Sequence, residues 1–384
     1  MKWVTMWGNA QSTVLPAPAT YTKDVTLRYP IFVPFSGKKV RITLDNFCCD
    51  EDVTIDEVYV GIGSKLNDEI LGDNYVLTCN GSKKFHLKAH SMVQSDPLDI
   101  NLTEEEYLIV SLYLKDYTNL TSGVDIIGPL SKGFYAYGNQ CCLKRLDLNT
   151  SKSTSWVYFL ANVDVYTEDD KEAIICYGDS ITSQDWPDYL LLNLRENGYK
   201  NYSVVRKAVS GTRILREYNC ITYQSYGKHG FHRFCHEVGS VCGAKNIIIQ
   251  HGINDIIHPV GEETNIFRPM SDLPTANELI EGLKYYAQEA MAFGLDVYFG
   301  TLLPIHNWRT YAPFREELKN EVNDWIRKQQ HIDFQEEIGI CIDDAYHFKK
   351  DCDSGDHLHP SKLAYLQMGN LAFRKIISSK NGKI

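Results

Sequence analysis

The hydrophobic pattern of the chain changes near residue 170. Before that point, short runs alternate apolar and polar residues between turn signals, as in residues 39–44, 54–60 and 107–114. This period-2 alternation, rich in Val, Ile, Thr and Tyr, is typical of half-buried strands. Helical periodicity is scarce in the same stretch. We therefore predict that residues 1–168 form an accessory β-sandwich domain of jelly-roll type.

After the acidic linker at residues 166–171, short apolar runs alternate with helical patterns. Strands are predicted at residues 173–177, 202–205, 246–250 and 296–303, and helices at residues 188–196, 277–293, 316–329 and 362–378. Strands that alternate with helices form parallel βαβ units. We therefore predict an α/β domain over residues 169–384, with a doubly wound parallel sheet in a flavodoxin-like α/β/α arrangement.

Composition excludes several classes of function. The chain has 384 residues and a net charge of −10, from 39 basic and 49 acidic side chains. This acidic balance argues against sequence-independent binding to nucleic acid and to an anionic membrane surface. The first 20 residues contain no apolar core typical of a secretory signal, so we expect a cytoplasmic location. The oligomeric state is left open.

Polar residues follow the predicted strands at the points where the strands end. Gly178-Asp179-Ser180 follows the first strand, Ser210-Gly211 the second, and Gly252-Ile253-Asn254-Asp255 the third; Asp356-His357-Leu358-His359-Pro360 precedes the last helix. Each of these motifs, taken alone, is common in ordinary turns. In an open α/β sheet, however, ligands bind at the carboxyl ends of the strands. The combination predicts one site at that edge.

These residue types together suit nucleophilic catalysis. A serine hydroxyl such as that of Ser180 becomes a good nucleophile when an imidazole takes its proton, and a carboxylate can hold that imidazole in position. Asp356 and His359 are three residues apart, so one turn can present both. Donors for an oxyanion are available from the backbone N–H groups of Ser180 and Gly211 and from the side-chain amide of Asn254.

With these motifs the chain resembles the GDSL (SGNH) serine esterases and acylhydrolases. It looks like a two-domain bacterial branch with an N-terminal β-sandwich, resembling carbohydrate esterases. The further motifs that carry this resemblance are Trp3-Val4-Thr5-Met6-Trp7, Ser95-Asp96-Pro97, Thr301-Leu302-Leu303-Pro304, Asn323-Asp324-Trp325-Ile326-Arg327 and Asp353-Ser354-Gly355-Asp356. They extend the resemblance over nearly the whole chain.

The resemblance implies roles for the site residues. Ser180 would be the nucleophile, His359 the base and Asp356 its orienting carboxylate, with Ser180, Gly211 and Asn254 forming the oxyanion hole. No metal or other cofactor is implied. Since several relatives with a β-sandwich remove acetyl groups from plant polysaccharides, we expect an esterase for acetyl or other short acyl esters on carbohydrates. The alternatives are a broad short-chain acylesterase, thioesterase or lysophospholipase, and a carbohydrate-binding protein with a vestigial hydrolase domain.

Two further sets of residues are candidates for a site. Trp186 opens the first helix, six residues after Ser180, and Trp308 follows the fourth strand. Either indole could contact substrate or pack in the core. His229, His232 and His236 are spaced to share one face of a helix, which together with His357 and His359 raises a metal site as a weaker alternative. We predict that Trp186 and Trp308 bind substrate and that the reaction uses no metal.

Overall fold

The computed structural model describes residues 1–13, 21–218, 220–335 and 347–381. The chain divides into two compact units. The first is formed by Met1–Ala173, Lys200–Val205 and Val241–Gly243, and the second by Ile174–Tyr199, Arg206–Ser240 and Ala244–Ile384. The domain boundary that we propose, after residue 168, lies in the turn between the last strand of the N-terminal β-region and the first strand of the α/β region.

The N-terminal region is built from strands. In chain order they are β1 (Lys2–Gly8), β2 (Ser12–Thr13), β3 (Tyr21–Thr22), β4 (Val25–Phe32), β5 (Gly37–Asp45), β6 (Val53–Ile55), β7 (Glu57–Gly63), β8 (Leu71–Leu77), β9 (Phe85–Leu87), β10 (Met92–Gln94), β11 (Leu98–Leu102), β12 (Tyr107–Leu114), β13 (Thr118–Asn119), β14 (Ser122–Asp125), β15 (Gly133–Tyr137), β16 (Lys152–Thr154), β17 (Trp156–Tyr158) and β18 (Leu160–Thr167).

Two antiparallel sheets dominate this region. One has the order β1-β18-β5-β10, with β11 also paired to β5, and the other has the order β16-β15-β4-β12-β7-β8. Strand β12 is central in the second sheet, because it pairs along its length with both β4 and β7. All of its residues except Tyr107 are buried. The prediction of an all-β region at the N-terminus is confirmed.

The α/β region continues the list of elements. Its strands are β19 (Glu172–Gly178), β20 (Tyr202–Ala208), β21 (Ala244–Gln250), β22 (Asp296–Gly300) and β23 (His331–Ile332). Its helices are α1 (Ser180–Ser183), α2 (Trp186–Glu196), α3 (Gly230–Gly239), α4 (Ile253–Ile257), α5 (Ala276–Ala292), α6 (Pro313–Ile326) and α7 (Lys362–Asn381), with 3₁₀ turns at Ile221–Tyr226 and Met270–Asp272.

The strand order of this sheet indicates the edge at which ligands are expected to bind. The order is β20-β19-β21-β22-β23, and β22 pairs in parallel with both β21 and β23. Numbered along the chain, this is the doubly wound order 2-1-3-4-5, in which the connections leave β19 and β21 in opposite directions. In folds of this order, ligands bind at that switch point, outside the carboxyl ends of the strands. The predicted doubly wound parallel fold is confirmed.

Local sequence accounts for most of these elements. Strand β19 has six buried residues in seven, as expected for a strand covered on both faces. Helix α5 begins with a capping box in which Thr275 and Glu278 satisfy each other's backbone N–H groups. Strand β22 ends at Gly300, earlier than predicted, because the side chain of Asn323 takes over both hydrogen bonds of the Leu302 backbone.

Within the described residues, no helix is long and apolar enough to cross a membrane. Every cysteine in the same part of the chain is a free thiol.

Candidate active site

Ser180 stands at a sharp turn between strand β19 and helix α1. The strand ends at Gly178, where a Cβ atom would come within 2.3 Å of the Gln250 carbonyl oxygen, so only glycine allows β19 and β21 to lie this close. Asp179 caps α1, and its side chain accepts a hydrogen bond from the Ile181 N–H across 3.1 Å. Ser180 is therefore the first residue of the helix, and it is partly exposed.

Ser180, His359 and Asp356 form a continuous chain of hydrogen bonds. Ser180 Oγ lies 2.9 Å from His359 Nε2, and His359 Nδ1 lies 2.6 Å from Asp356 Oδ2. An ionised carboxylate can only accept, so Nδ1 carries the proton and Nε2 is left to accept from the serine hydroxyl. Backbone N–H groups of Leu358 and His359 donate to the other oxygen of Asp356. The carboxylate is thereby held in place.

The same loop contains a second aspartate–histidine pair. His357 Nδ1 lies 2.6 Å from Asp353 Oδ2, the same separation as in the first pair. His357 has a φ of 65°, in the left-handed region that residues with a side chain rarely adopt. Asp353 also accepts the backbone N–H of His357 and of Gly355. Of the two imidazoles, that of His359 is the one within hydrogen-bond distance of Ser180.

Two carboxyl groups of the site have shifted pKa values of opposite sign. Partial burial acts to raise the pKa of Asp356, but the hydrogen bonds from His359 and the loop backbone outweigh it and hold the pKa well below the ordinary value. Asp179 is fully buried, and burial raises its pKa to about 7 despite the hydrogen bond from Ile181 and the nearby His359. Asp356 is thus kept ionised, while Asp179 ionises near neutrality.

Gly211 follows strand β20 and reaches the same edge of the sheet. Its φ of 79° favours glycine, and a Cβ atom at this position would come within 2.1 Å of the Tyr226 ring. Both the backbone conformation and the close approach of that ring therefore require glycine. The importance of Tyr226 could not be seen in the sequence, because it is 15 residues further along the chain.

Asn254 lies in α4, just after strand β21, and only 3% of it is exposed. Its side-chain Nδ2 donates to the Thr212 carbonyl oxygen across 3.0 Å. The next residue, Asp255, is also buried and accepts the N–H groups of Ile214 and Leu215 across 2.8 and 3.1 Å. Adjacent residues after β21 thus hold the loop that begins at Gly211, and this function of Asp255 was missed in the sequence.

A buried arginine supports the turn before Ser180. Arg233, in α3, is completely buried, and it donates to the Gly178 carbonyl oxygen across 3.0 Å. Its guanidinium group also lies over the Tyr177 ring, 4.8 Å from the ring centroid, and 3.6 Å from the carboxylate of Glu237. The helical spacing of Arg233 and Glu237 is the one sequence signal that could have indicated this pair.

The two tryptophans have different surroundings. Trp186 has no exposed surface, and its ring packs 5.6 Å from that of Phe334. This corrects the prediction that Trp186 binds substrate, since an indole buried in the core presents no face to a ligand. Trp308 is partly exposed, and the guanidinium of Arg309 lies 4.5 Å from its ring centroid. A contact between Trp308 and substrate stays a prediction.

The histidines considered for a metal site separate into two groups. His357 and His359 pair with aspartates in their own loop. His229 and His232 lie together with Glu217, with potential ligand atoms within 4.8 Å of one another, and His236 is outside this cluster. The sequence suggested that His229, His232 and His236 share one helical face. In the structure, His229 and His232 group with Glu217 instead.

Sequence comparison assigns the family. The family described as GDSL-like Lipase/Acylhydrolase matches residues 153–372, which is more than half of the chain and contains Ser180, Gly211, Asn254, Asp356 and His359. The chain therefore belongs to the GDSL-like lipase/acylhydrolase family and is, by class, a carboxylic ester hydrolase. No protein of curated function matches the chain at a significant level.

Several solved structures are similar to about half of the chain. A GDSL-like lipase from Bacteroides thetaiotaomicron is 16% identical, with a TM-score of 0.37, over 56% of this chain and 91% of that one. The acetylxylan esterase Axe2 from Geobacillus stearothermophilus is 17% identical, with a TM-score of 0.40, over 53% of this chain and 94% of that one. TesA is 20% identical, with a TM-score of 0.38, over 53% of this chain and 98% of that one.

Proposed function

We propose that the chain is a serine esterase that removes short acyl groups, chiefly acetyl, from carbohydrates. The observation that carries this proposal is the chain of hydrogen bonds from Ser180 through His359 to Asp356, with separations of 2.9 and 2.6 Å. Ser180 is the nucleophile, His359 the general base and Asp356 the group that orients the imidazole.

In the first half of the reaction, Ser180 Oγ attacks the ester carbonyl carbon while its proton passes to His359 Nε2. The imidazolium that forms is stabilised by the adjacent Asp356 carboxylate. Negative charge develops on the former carbonyl oxygen, where the N–H groups of Ser180 and Gly211 and the amide of Asn254 donate hydrogen bonds. The C–O bond then breaks, and the imidazolium gives its proton to the departing sugar oxygen, which leaves as a hydroxyl group.

In the second half, water replaces the sugar. His359 is now neutral again and takes a proton from a water molecule. At the same time the water oxygen attacks the carbonyl carbon of the acyl-enzyme. The same oxyanion donors stabilise the second tetrahedral intermediate. When it collapses, the proton returns from His359 to Ser180 Oγ, and the carboxylic acid is released with the enzyme restored.

Two structural features beside Gly211 support the proposal that the substrate is a short acyl ester of a sugar. The ring of Tyr226 fills the space next to Gly211, which leaves little room there for a long acyl chain. Tyr226 also belongs to a ring cluster with Tyr218, Tyr223 and His258, whose neighbouring centroids are 4.7–5.9 Å apart. Tyr223 and Tyr226 are partly exposed. A tyrosine with an apolar face and a polar edge suits the mixed surface of a sugar.

The substrate proposal is tested by acetate release from acetylated xylan, mannan and cello-oligosaccharides, measured beside p-nitrophenyl esters from acetate to palmitate. We expect the highest kcat/KM on acetylated sugars and, among the simple esters, on acetate. A preference for octanoate or longer chains would overturn the assignment of a short acyl group. Failure of the folded protein to hydrolyse any ester would instead favour a vestigial hydrolase domain.

Tyr226 offers a sharper test of acyl length. In Tyr226→Ala the space beside Gly211 opens, so we expect the ratio of hexanoate to acetate turnover to rise. Tyr223→Ala is the matched control, because Tyr223 stacks on Tyr226 but is not among the atoms nearest to Gly211. An unchanged ratio in Tyr226→Ala would show that this ring does not limit the acyl group.

A further inference from the structure

We propose that Glu217, His229 and His232 form a binding site for a divalent transition-metal ion of the Zn²⁺ type. These residues are distinct from the Ser180–His359–Asp356 triad. Each offers one ligand atom, and the three atoms lie within 4.8 Å of one another. Two imidazoles and one carboxylate are a ligand set that zinc commonly takes in proteins, with a water molecule in the fourth position.

The separations are close to those that zinc requires. Bonds from zinc to nitrogen or oxygen are about 2.0–2.2 Å long, which places neighbouring ligand atoms about 3.4 Å apart in a tetrahedral site. His232 Nδ1 lies 3.8 Å from Glu217 Oε2. Side-chain rotations that draw the ligand atoms together by about 1 Å would close the site. Such rotations are open to His232 and Glu217, whose side chains are 49% and 31% exposed.

The electrostatic setting suits a cation. A metal binds a neutral imidazole through a ring nitrogen that carries no hydrogen. Nδ1 of His229 is buried and has no hydrogen-bond partner among the described residues. The positive charges of two arginines close to Glu217 in the sequence are offset by Asp272, which lies 3.0 Å from Arg213 and 3.8 Å from Arg216. Glu217 then supplies the negative charge that faces the ion.

The position of the cluster indicates what the ion would do. Glu217 lies in the segment that begins at Gly211, and His229 immediately precedes helix α3. Near its ends this segment is already joined, since Gly230 N–H donates to the Arg213 carbonyl oxygen across 2.8 Å. Glu217 Oε2 already accepts the His229 backbone N–H across 3.1 Å, so an ion would strengthen an existing tie between the middle of the segment and the helix, and further restrict the loop that carries Gly211. Its contribution is to stability, not to the ester chemistry.

The test uses the full-length protein, stripped with EDTA and desalted, with Zn²⁺ alone as the probe. Binding is measured by calorimetry in wild type, Glu217→Gln, His229→Gln and the matched control His236→Gln. We expect the dissociation constant to rise about tenfold or more in the first two variants and to stay unchanged in the control. Circular dichroism of the metal-free variants checks that each is folded.

X-ray absorption of the zinc-loaded wild type gives a readout that needs no variant. We expect nitrogen and oxygen ligands at about 2.0–2.2 Å, whereas bound thiolates would appear at about 2.3 Å. Absence of zinc binding, or binding through sulfur, overturns the proposal. So does loss of binding in His236→Gln with retention in Glu217→Gln, which would place the ion on His232 and His236. Ester hydrolysis, assayed on the same samples, reports separately on the triad.

Discussion

The side-chain amide of Asn254 donates a hydrogen bond to the backbone carbonyl oxygen of Thr212 across 3.0 Å. Thr212 comes directly after Gly211, so this bond ties the loop after β21 to the loop after β20. An amide nitrogen carries two hydrogens. One of them fixes the orientation of the Asn254 side chain, and the other is available for an oxyanion. Asn254 is therefore expected to contribute both to stability and to catalysis.

Replacing Asn254 by alanine should show both contributions. We expect kcat to fall by about 10²–10³ with little change in KM, because the lost donor acts on charge that develops in the transition state. The lost hydrogen bond to Thr212 should cost about 1 kcal/mol in the free energy of unfolding. Steady-state kinetics and urea unfolding measure the two effects separately.

A matched control for Asn254 is available in Asn323. This buried asparagine hydrogen-bonds the Leu302 backbone through both ends of its amide, across 2.8 and 2.9 Å. Asn323→Ala should lose stability with kcat preserved in the folded fraction. Near-normal kcat in a folded Asn254→Ala variant would remove that side chain from the oxyanion hole.

Ser180→Ala should lower kcat by about 10⁴-fold or more, because the attacking oxygen is removed. Its thermal midpoint should change little, since Ser180 is partly exposed and the lost side-chain contact is the one to His359. A phosphonate that reacts with activated serines should label the wild type at Ser180. Ser183→Ala is the control, because Ser183 lies in the same short helix and should leave labelling intact. Labelling of Ser180→Ala would disprove the assignment.

The two aspartate–histidine pairs of the loop give a paired test of the base. Asp356→Asn should lower kcat by about 10⁴ with KM little changed, because the amide no longer stabilises the imidazolium. Asp353→Asn alters a pair with the same 2.6 Å separation, and we expect most of its activity to remain. Equal losses in the two variants would mean that the loop needs both pairs for its shape alone.

The raised pKa of Asp179 predicts how stability depends on pH. The pKa is about 7 in the folded protein, against an ordinary value of 3.8, so the folded state binds the extra proton between these two values. The contribution of this group to the free energy of unfolding is therefore fully present below pH 3.8. It is lost as the pH rises through about 7. Asp179→Asn cannot ionise, so it should gain stability relative to wild type between pH 4 and pH 8.

Urea unfolding of both proteins at several pH values measures this difference. Asp170→Asn, which changes a side chain that is 63% exposed, serves as the control variant. A difference between Asp179→Asn and wild type that is constant with pH would contradict the shifted pKa.

Removal of metal should leave ester hydrolysis intact. The nucleophile, the general base and the oxyanion donors of the proposed reaction are all protein groups, so EDTA should not change kcat at moderate temperature. It should lower the thermal midpoint of a metal-loaded sample if the Glu217–His229–His232 site is occupied. Complete loss of turnover on chelation, with recovery on adding zinc, would move the chemistry to a metal.

The sequence by itself determined the two fold classes and the edge of the sheet where the site residues meet. Strand and helix formation depend on local hydrophobic periodicity and caps, which can be read directly, as in the buried run of β19 or the Thr275–Glu278 capping box. The rule that ligands bind at the carboxyl ends of parallel strands then places Ser180, Gly211 and Asn254 on one edge.

Only the tertiary structure decided which distant side chains surround that edge. Packing of α2 buries Trp186, which its position at the start of that helix could not reveal. The approach of Tyr226 to Gly211, the bond from Arg233 to Gly178 and the grouping of Glu217 with His229 each join residues on different elements or loops. Such contacts depend on how loops and helices pack in three dimensions, and hydrophobic periodicity along the chain carries no information about that packing.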